Sequence, residues 1–227
     1  MSTGLTAAVL AGGRSRRMGR DKALLTIDGV PLLQRTIATT DSLCVRGLIV
    51  SNNPAAHGRF AWPTVPDRFP ETGPLGGLAT ALFHSTTPYV LLLACDMPNL
   101  STPLLRYIID RQSDAFQAVI PDSPHGLQPL CALYNRSILL QAEAAIRQQR
   151  LSMRAFVSQL TACVVSPQDW MPLSQGVDPF LNLNTPEEYR SEQKKPPAFR
   201  PGVRRVDKAC PSQKPASKTL NTRSNGR

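Results

Sequence analysis

Residues 7–22 read AAVLAGGRSRRMGRDK. Ala7–Leu10 has the composition of a strand, and it runs straight into a loop holding Gly12, Gly13 and Gly19 with Arg14, Arg16, Arg17, Arg20 and Lys22. Glycines let backbone N–H groups converge on phosphate oxygens, and the cations neutralise them. The stretch is neither a G-x-x-x-x-G-K-[ST] phosphate loop nor a G-x-G-x-x-G dinucleotide fingerprint. It is read here as a phosphate-binding turn at the end of a first strand.

Outward from that turn, short apolar runs alternate with helical patterns, which predicts an α/β fold with a mostly parallel sheet. Pro31–Leu43 reads as helix, Leu48–Val50 and Thr64–Val65 as short strands. Leu75, Leu78, Ala79, Leu82 and Phe83 recur at helical spacing and are expected to face inward. Tyr89–Ala94 (YVLLLA) is apolar throughout, as a central strand covered on both faces must be. Ser101, Thr102 and Pro103 open a further helix with Leu104, Leu105, Ile108 and Ile109 on its inner face. Ala118–Ile120 and Cys131–Tyr134 read as strands around a loop, Pro121–Pro129, and Ser137–Gln149 as helix. Ser152 is suited to cap a helix with Met153, Phe156, Val157 and Leu160 inward, and Ala162–Val165 to form an edge strand. Thr185-Pro186-Glu187-Glu188 combines an N-cap hydroxyl, a first-turn proline and two acids.

The chain has 227 residues, 41% of them hydrophobic and 19% charged, enough to bury a substantial core. Its formal charge of +10 is uneven: residues 191–227 hold ten basic and two acidic side chains. That tail also carries five prolines and a single aromatic, Phe199, so residues 191–227 are expected to be disordered and residues 1–190 to form one domain. No apolar run approaches the roughly 18–20 residues of a membrane span, and the N-terminus lacks a basic segment before an apolar one. Five scattered cysteines without C-x-x-C spacing read as reduced thiols of a cytoplasmic protein.

The turn closely resembles the L-A-G-G-x-x-x-R-M-G-x-x-K signature of the molybdenum cofactor guanylyltransferases, within the nucleotidyltransferase superfamily. Further matches follow in order: Pro66-Asp67, Gly73–Gly77 (GPLGG), Ala94–Pro98 (ACDMP), Gln128–Tyr134 (QPLCALY) and Phe180–Glu188 (FLNLNTPEE). The resemblance covers about residues 5–190. It implies a single Rossmann-like, three-layer nucleotidyltransferase domain that transfers GMP from GTP to the terminal phosphate of a molybdopterin cofactor. It implies nucleotide contacts at Leu10, Ala11, Gly12 and Gly13, phosphate contact by Lys22, and further nucleotide contacts at Asp67, Gly76 and Gly77. Where some relatives have Asn after the second strand, this chain has Ser51, followed by Asn52 and Asn53, so Ser51 or Asn53 is the expected contact. Asp96 matches the magnesium ligand, and Arg14 and Arg17 join Lys22 and Asp96 as catalytic candidates. GTP and the molybdopterin cofactor are the implied partners, along with other molybdenum-cofactor proteins and recipient molybdoenzymes.

Asp96 is also favoured by position alone, since a carboxylate after an apolar central strand lies where open α/β sheets bind ligands, and Mg2+ takes one or two carboxylates plus phosphate oxygens. Helix capping near Ser101 is the competing role for Asp96, and a turn is the competing role for Asp67. Asn182 and Asn184 suit either metal or substrate binding or capping. His125, in a polar loop, reads as solvated, and loop Asp122–Gln128 as a candidate wall of the pterin pocket. Cytidylyl transfer to molybdopterin and nucleotidyl transfer to a sugar phosphate remain open, although cytidylyl relatives commonly carry Ala in the first glycine pair. Polyanion binding through the basic tail is the alternative of a different class, without the interleaved aromatics that base stacking needs.

Overall fold

In the computed structural model, which describes residues 4–12, 21–174 and 176–195, β1 (Leu5–Leu10) alternates between two cores. Leu5, Ala7 and Val9 join one buried cluster and Ala8 the other. The same alternation runs through β6 (Tyr89–Ala94), with Leu91 and Leu93 on one face and Val90 and Leu92 on the other. Neither strand has a solvent face, so the uninterrupted apolar run is a consequence of its place in the sheet.

The remaining strands are β2 (Thr26–Ile27), β3 (Val30–Pro31), β4 (Arg46–Val50), β5 (Thr64–Val65), β7 (Ala118–Ser123), β8 (Gly126–Leu127), β9 (Cys131–Asn135) and β10 (Ala162–Val165). The main sheet runs β10-β7-β9-β6-β1-β4-β5, with β8 paired to β7. β1 is parallel to both β4 and β6, while β9 is antiparallel to β6 and β7. The sheet is therefore mostly parallel, as expected, with β10 at its edge.

Helices cover both faces. α1 (Leu32–Thr40) and α4 (Thr102–Asp110) supply Leu33, Ile37, Leu104, Leu105 and Ile108 to the first cluster. α3 (Pro74–His84), α5 (Leu139–Arg147) and α6 (Met153–Val157) fill the second with Leu75, Leu78, Leu82, Ala142, Phe156 and Val157. Each fully buried Leu, Ile or Phe contributes about 1.5–3 kcal/mol relative to exposure, so these two layers carry most of the stability. The remaining α-helices are the one-turn α2 (Pro54–His57) and α7 (Pro167–Trp170) and the nine-residue α8 (Pro186–Lys194). Thr185 caps α8 with a full capping box to Glu188, matching the sequence pattern.

Three expectations change. Phe83 is 47% exposed rather than inward, because its ring lies under the Arg68 guanidinium, 3.6 Å from the ring centroid. Pro121–Pro129 is largely strand, not loop: β7 continues through Pro121 to Ser123 and turns into β8. The proline is tolerated because the β7–β9 ladder ends at Val119, before a donor at 121 is required. The small elements β2, β3, α2 and α7 went unread, being too short to show a period.

Finally, the helical pattern does not stop at Ser191, since α8 runs to Lys194. Glu192 is buried, and Gln193 donates to the Thr26 carbonyl of β2 at 3.2 Å. Tyr189 donates to the same carbonyl at 2.6 Å. This end of α8 closes a third, small core of Ile27, Leu32 and Leu183. Arg35 beneath it has its pKa lowered by burial, an effect opposed by the nearby charges of Asp28 and Glu192. The expectation for the tail falls, from residue 196 onward, outside the described residues.

Chain shortening separates these readings. Ending the chain after Arg190 removes Glu192 and Gln193 and should cost roughly 1–2 kcal/mol, a fall of about 2–8 °C in Tm for a domain of this size. Ending it after Lys195 should leave Tm within about 2 °C of the full chain. Thermal unfolding of the two truncated proteins followed by circular dichroism measures both.

Candidate active site at the switch point of the sheet

Strand order reverses beside β1: the chain moves from β1 to β4 and β5 on one side, then returns to place β6 on the other. Ligands of open α/β sheets bind in the crevice beyond the carboxyl ends of the strands at such a point. Leu10 pairs in register with Ala94, and Cys95 donates its N–H to the Leu10 carbonyl at 3.3 Å. Gly12 and Asp96 each lie two residues beyond this pair, at the same end of the sheet.

Lys22 reaches the same point from a 3-10 turn, Lys22–Leu24, whose N-cap is Asp21. Its Nζ donates to Asp96 Oδ2 at 3.2 Å and to Asn184 Oδ1 at 2.8 Å. Both members of the Lys22–Asp96 pair keep about a fifth of their side-chain surface in solvent. The Leu183 N–H donates to the Asp96 carbonyl at 3.1 Å, which fixes the segment carrying Asn184 against β6. Three sequence-predicted residues from distant parts of the chain thus meet. Asp96 does not cap α4; Ser101 does so with its own hydroxyl. Asn182 instead braces its own turn, donating to the Phe180 carbonyl at 3.0 Å.

The residues expected on the nucleotide side divide. The Ala11 N–H donates to the Val50 carbonyl at 3.1 Å, and Gly12 is exposed. A Cβ on Gly12 would come no nearer than 3.9 Å to Ser51 Cα and the Val50 carbonyl, so packing among the described residues does not require glycine there. Gly76 and Gly77 are different. Both are buried in α3, where a Cβ on Gly76 would lie 2.8 Å from the Phe69 carbonyl and one on Gly77 2.8 Å from Leu10 Cδ2. Their smallness lets the start of α3 sit on β1 and on the loop before it. Asp67 forms the turn its Pro-Asp sequence suggested: Oδ1 accepts from the Phe69 N–H at 2.9 Å and from Thr80 Oγ1 at 2.9 Å. Asn52 Oδ1 accepts from the Asp67 N–H at 2.8 Å and holds that turn to the end of β4.

Ser51 is only 2% exposed and its hydroxyl faces inward to His57, while Asn53 caps α2 by accepting from the Ala56 N–H. The side chains of Ser51 and Asn53 are thus committed to the fold, and Asn52 is the residue that reaches the Asp67 turn. Gly13, Arg14 and Arg17 lie outside the described residues. His57 is the residue the sequence reading missed. The Asn53-Pro54 pair, an N-cap followed by a first-turn proline, was the signal that would have exposed its helix.

Burial and the neighbouring Asp96 charge push the Cys95 thiol well above its usual range, and burial raises Cys131 to about 12. Both thiols stay protonated at neutral pH and are not nucleophiles. The four described cysteines are free. Across β6 and β9, the β7–β8 hairpin rises at the same end of the sheet. It is braced inside by Gln128, whose Nε2 donates to Ser123 Oγ at 2.8 Å and to the Gly126 carbonyl at 2.9 Å. His125 at its tip is exposed, as expected.

Residues 7–164 match the MobA-like NTP transferase domain. A molybdenum cofactor guanylyltransferase of Desulfosudis oleivorans is 32% identical over 192 residues, covering 83% of this chain and 94% of the relative. The chain belongs to the molybdenum cofactor guanylyltransferases. The molybdopterin-guanine dinucleotide biosynthesis protein A of Archaeoglobus fulgidus has the same fold, with a TM-score of 0.73, 22% identity, and coverage of 83% of this chain and 96% of that one. Rv0371C of Mycobacterium tuberculosis, solved in complex with manganese, overlays with a TM-score of 0.61 at 18% identity, covering 86% of this chain and all of its own. As a member of the guanylyltransferases, the protein is a nucleotidyltransferase with a single Rossmann-like α/β fold.

Since packing demands glycine at 76, Gly76→Ala should lower stability by roughly 1–3 kcal/mol while changing KM for the nucleotide less than about threefold. Chemical denaturation together with initial-rate kinetics separates the two effects. A large rise in KM without destabilisation would return Gly76 to direct nucleotide contact.

Proposed function

We propose that this enzyme transfers GMP from GTP to the terminal phosphate of Mo-molybdopterin, forming molybdopterin guanine dinucleotide and pyrophosphate. The observation that carries the reading is the meeting of Lys22, Asp96 and Asn184 at the switch point of the sheet. A phosphate oxygen of the acceptor attacks the α-phosphorus of GTP, and the bond to the β-phosphate bridging oxygen breaks. The attacking group is already an anion, so no strong general base is required. What the protein must supply is charge neutralisation and in-line positioning.

Lys22 neutralises phosphate oxygens, and Arg14 and Arg17 of the signature turn are assigned the same task. Gly12 brings backbone to the nucleotide without a side chain in the way. Asp67, held by Thr80 and Asn52, faces the nucleotide side from the end of β5. The β7–β8 hairpin, on the other side of β6, is assigned to the molybdopterin, so that donor and acceptor approach from opposite flanks of Asp96.

The donor set suits magnesium. Asp96 and Asn184 present hard oxygen atoms, and both already accept from one cation, the Lys22 ammonium, at 3.2 and 2.8 Å. Among the described residues no group of three or more His, Cys, Asp or Glu side chains could hold a metal, so substrate phosphates and waters would complete the coordination. Bound there, Mg2+ would stabilise charge on the α-phosphate and the leaving pyrophosphate. No helix among the described residues is long and apolar enough to cross a membrane. We place the reaction in the cytoplasm, with other molybdenum-cofactor proteins and recipient molybdoenzymes as downstream partners.

Two measurements test this reading. Asp96→Asn should leave the fold intact and lower kcat/KM by about 10²-fold or more in the presence of magnesium, with product mass as the readout. Near wild-type turnover would remove Asp96 from the mechanism. In competition at equal concentrations, GTP should be used at least about tenfold better than ATP or CTP, because each buried hydrogen bond lost on the base edge costs ~1–3 kcal/mol. Preference for CTP would move the enzyme to cytidylyl transfer.

A further inference from the structure

His57 is fully buried in the four-residue α2, yet it is polar at both ring nitrogens. Its Nδ1 lies 2.7 Å from Ser51 Oγ, which itself accepts from the Asn53 N–H at 3.0 Å. Its Nε2 has no well-aligned hydrogen-bond partner, and the group facing it is Asp21 Oδ2 at 3.0 Å. One arrangement of protons satisfies the chain: Asn53 N–H to Ser51, Ser51 O–H to Nδ1, and Nε2–H toward the Asp21 carboxylate. An apolar side chain would fill this space without the cost of burying an imidazole. The polar choice makes sense for what it faces.

Asp21 is the last residue before Lys22 and the N-cap of its turn. While Oδ2 faces His57, Oδ1 accepts from the Ala23 N–H at 3.0 Å. The imidazole is thus tied through one carboxylate to the turn that aims Lys22 at Asp96. The other end of the signature stretch is already fixed by β1. We infer that His57 is a positioning residue: through Asp21 it sets the placement of Lys22 against the triphosphate. This rests on the nucleotide-binding reading above and adds to it a residue that touches neither nucleotide nor metal.

The test is GTP affinity by isothermal titration calorimetry, with the full chain, in four proteins: wild type, His57→Leu, Lys22→Ala and the double variant, all well below their melting temperatures. His57→Leu should weaken GTP binding by about tenfold, in line with the sensitivity of bound geometry to small displacements. In the Lys22→Ala background the same change should have almost no effect, because the group it positions is gone. A merely structural histidine would lower melting temperature in both backgrounds and leave both affinities alone. Asp21→Ser keeps a capping hydroxyl but removes the carboxylate facing His57, and it should reproduce the loss if His57→Leu fails to fold. His57→Gln retains a donor at the Nε2 position and should recover most of the affinity. Equal affinities of wild type, His57→Leu and Asp21→Ser, or a full tenfold loss persisting in the Lys22→Ala background, would overturn the inference alone. Absence of GTP binding by the wild type would overturn the functional reading and this inference with it.

Discussion

The parallel pairing of β1 with β6, in the register that sets Leu10 against Ala94, is the constraint on which the site depends. A shift of one residue would turn the side chains of β6 to opposite faces and displace Asp96 from the end of β1. The register is protected at both ends. At the site end, Cys95 bonds to Leu10 and Leu183 to Asp96. At the far end, Thr6 Oγ1 and Thr87 Oγ1 share a buried hydrogen bond of 2.7 Å, and Ser85 donates to Thr6 at 3.0 Å. Between them, two apolar layers hold the strand from both faces.

Onto this frame the chain docks two segments that come from far away in sequence. The β2–β3 hairpin and its preceding turn deliver Lys22, and the Phe180–Asn184 segment delivers Asn184. α8 holds the two together through Tyr189 and Gln193 on the Thr26 carbonyl. The C-terminal helix therefore acts on the site at one remove: it stabilises the small core from which the lysine-bearing turn emerges. That role explains why its last turn carries the buried Glu192 rather than fading into solvent.

Much of this was legible in the sequence because the signals were of the strong kind. The all-apolar Tyr89–Ala94 run and the Thr185-Pro186 cap each correspond to a single local conformation, and each is present. The meeting of Lys22, Asp96 and Asn184 followed from family motifs and not from periodicity, since nothing local says that residues 22 and 184 touch. Tertiary context adds a packing reason for glycine at 76 and 77 that the sequence alone does not show. Glycine for close backbone approach to a ligand and glycine for close approach to Leu10 leave identical letters. The side chains of Ser51 and Asn53 are bonded within α2, a helix of one turn with too few residues to announce itself. His57 sits on that helix, and the groups facing it are Asp21 and Ser51, from distant parts of the chain.

The account centres on the Lys22–Asp96 pair as the place where the nucleotide and its metal ion are received. A crystal structure of the protein with GTP and Mg2+ tests this most directly. The account predicts that Lys22 Nζ leaves Asp96 for phosphate oxygens, that Asp96 takes the metal, and that the guanine nucleotide lies over the carboxyl ends of β1 and β4. A structure in which Lys22 and Asp96 remain paired while the nucleotide binds elsewhere would contradict it.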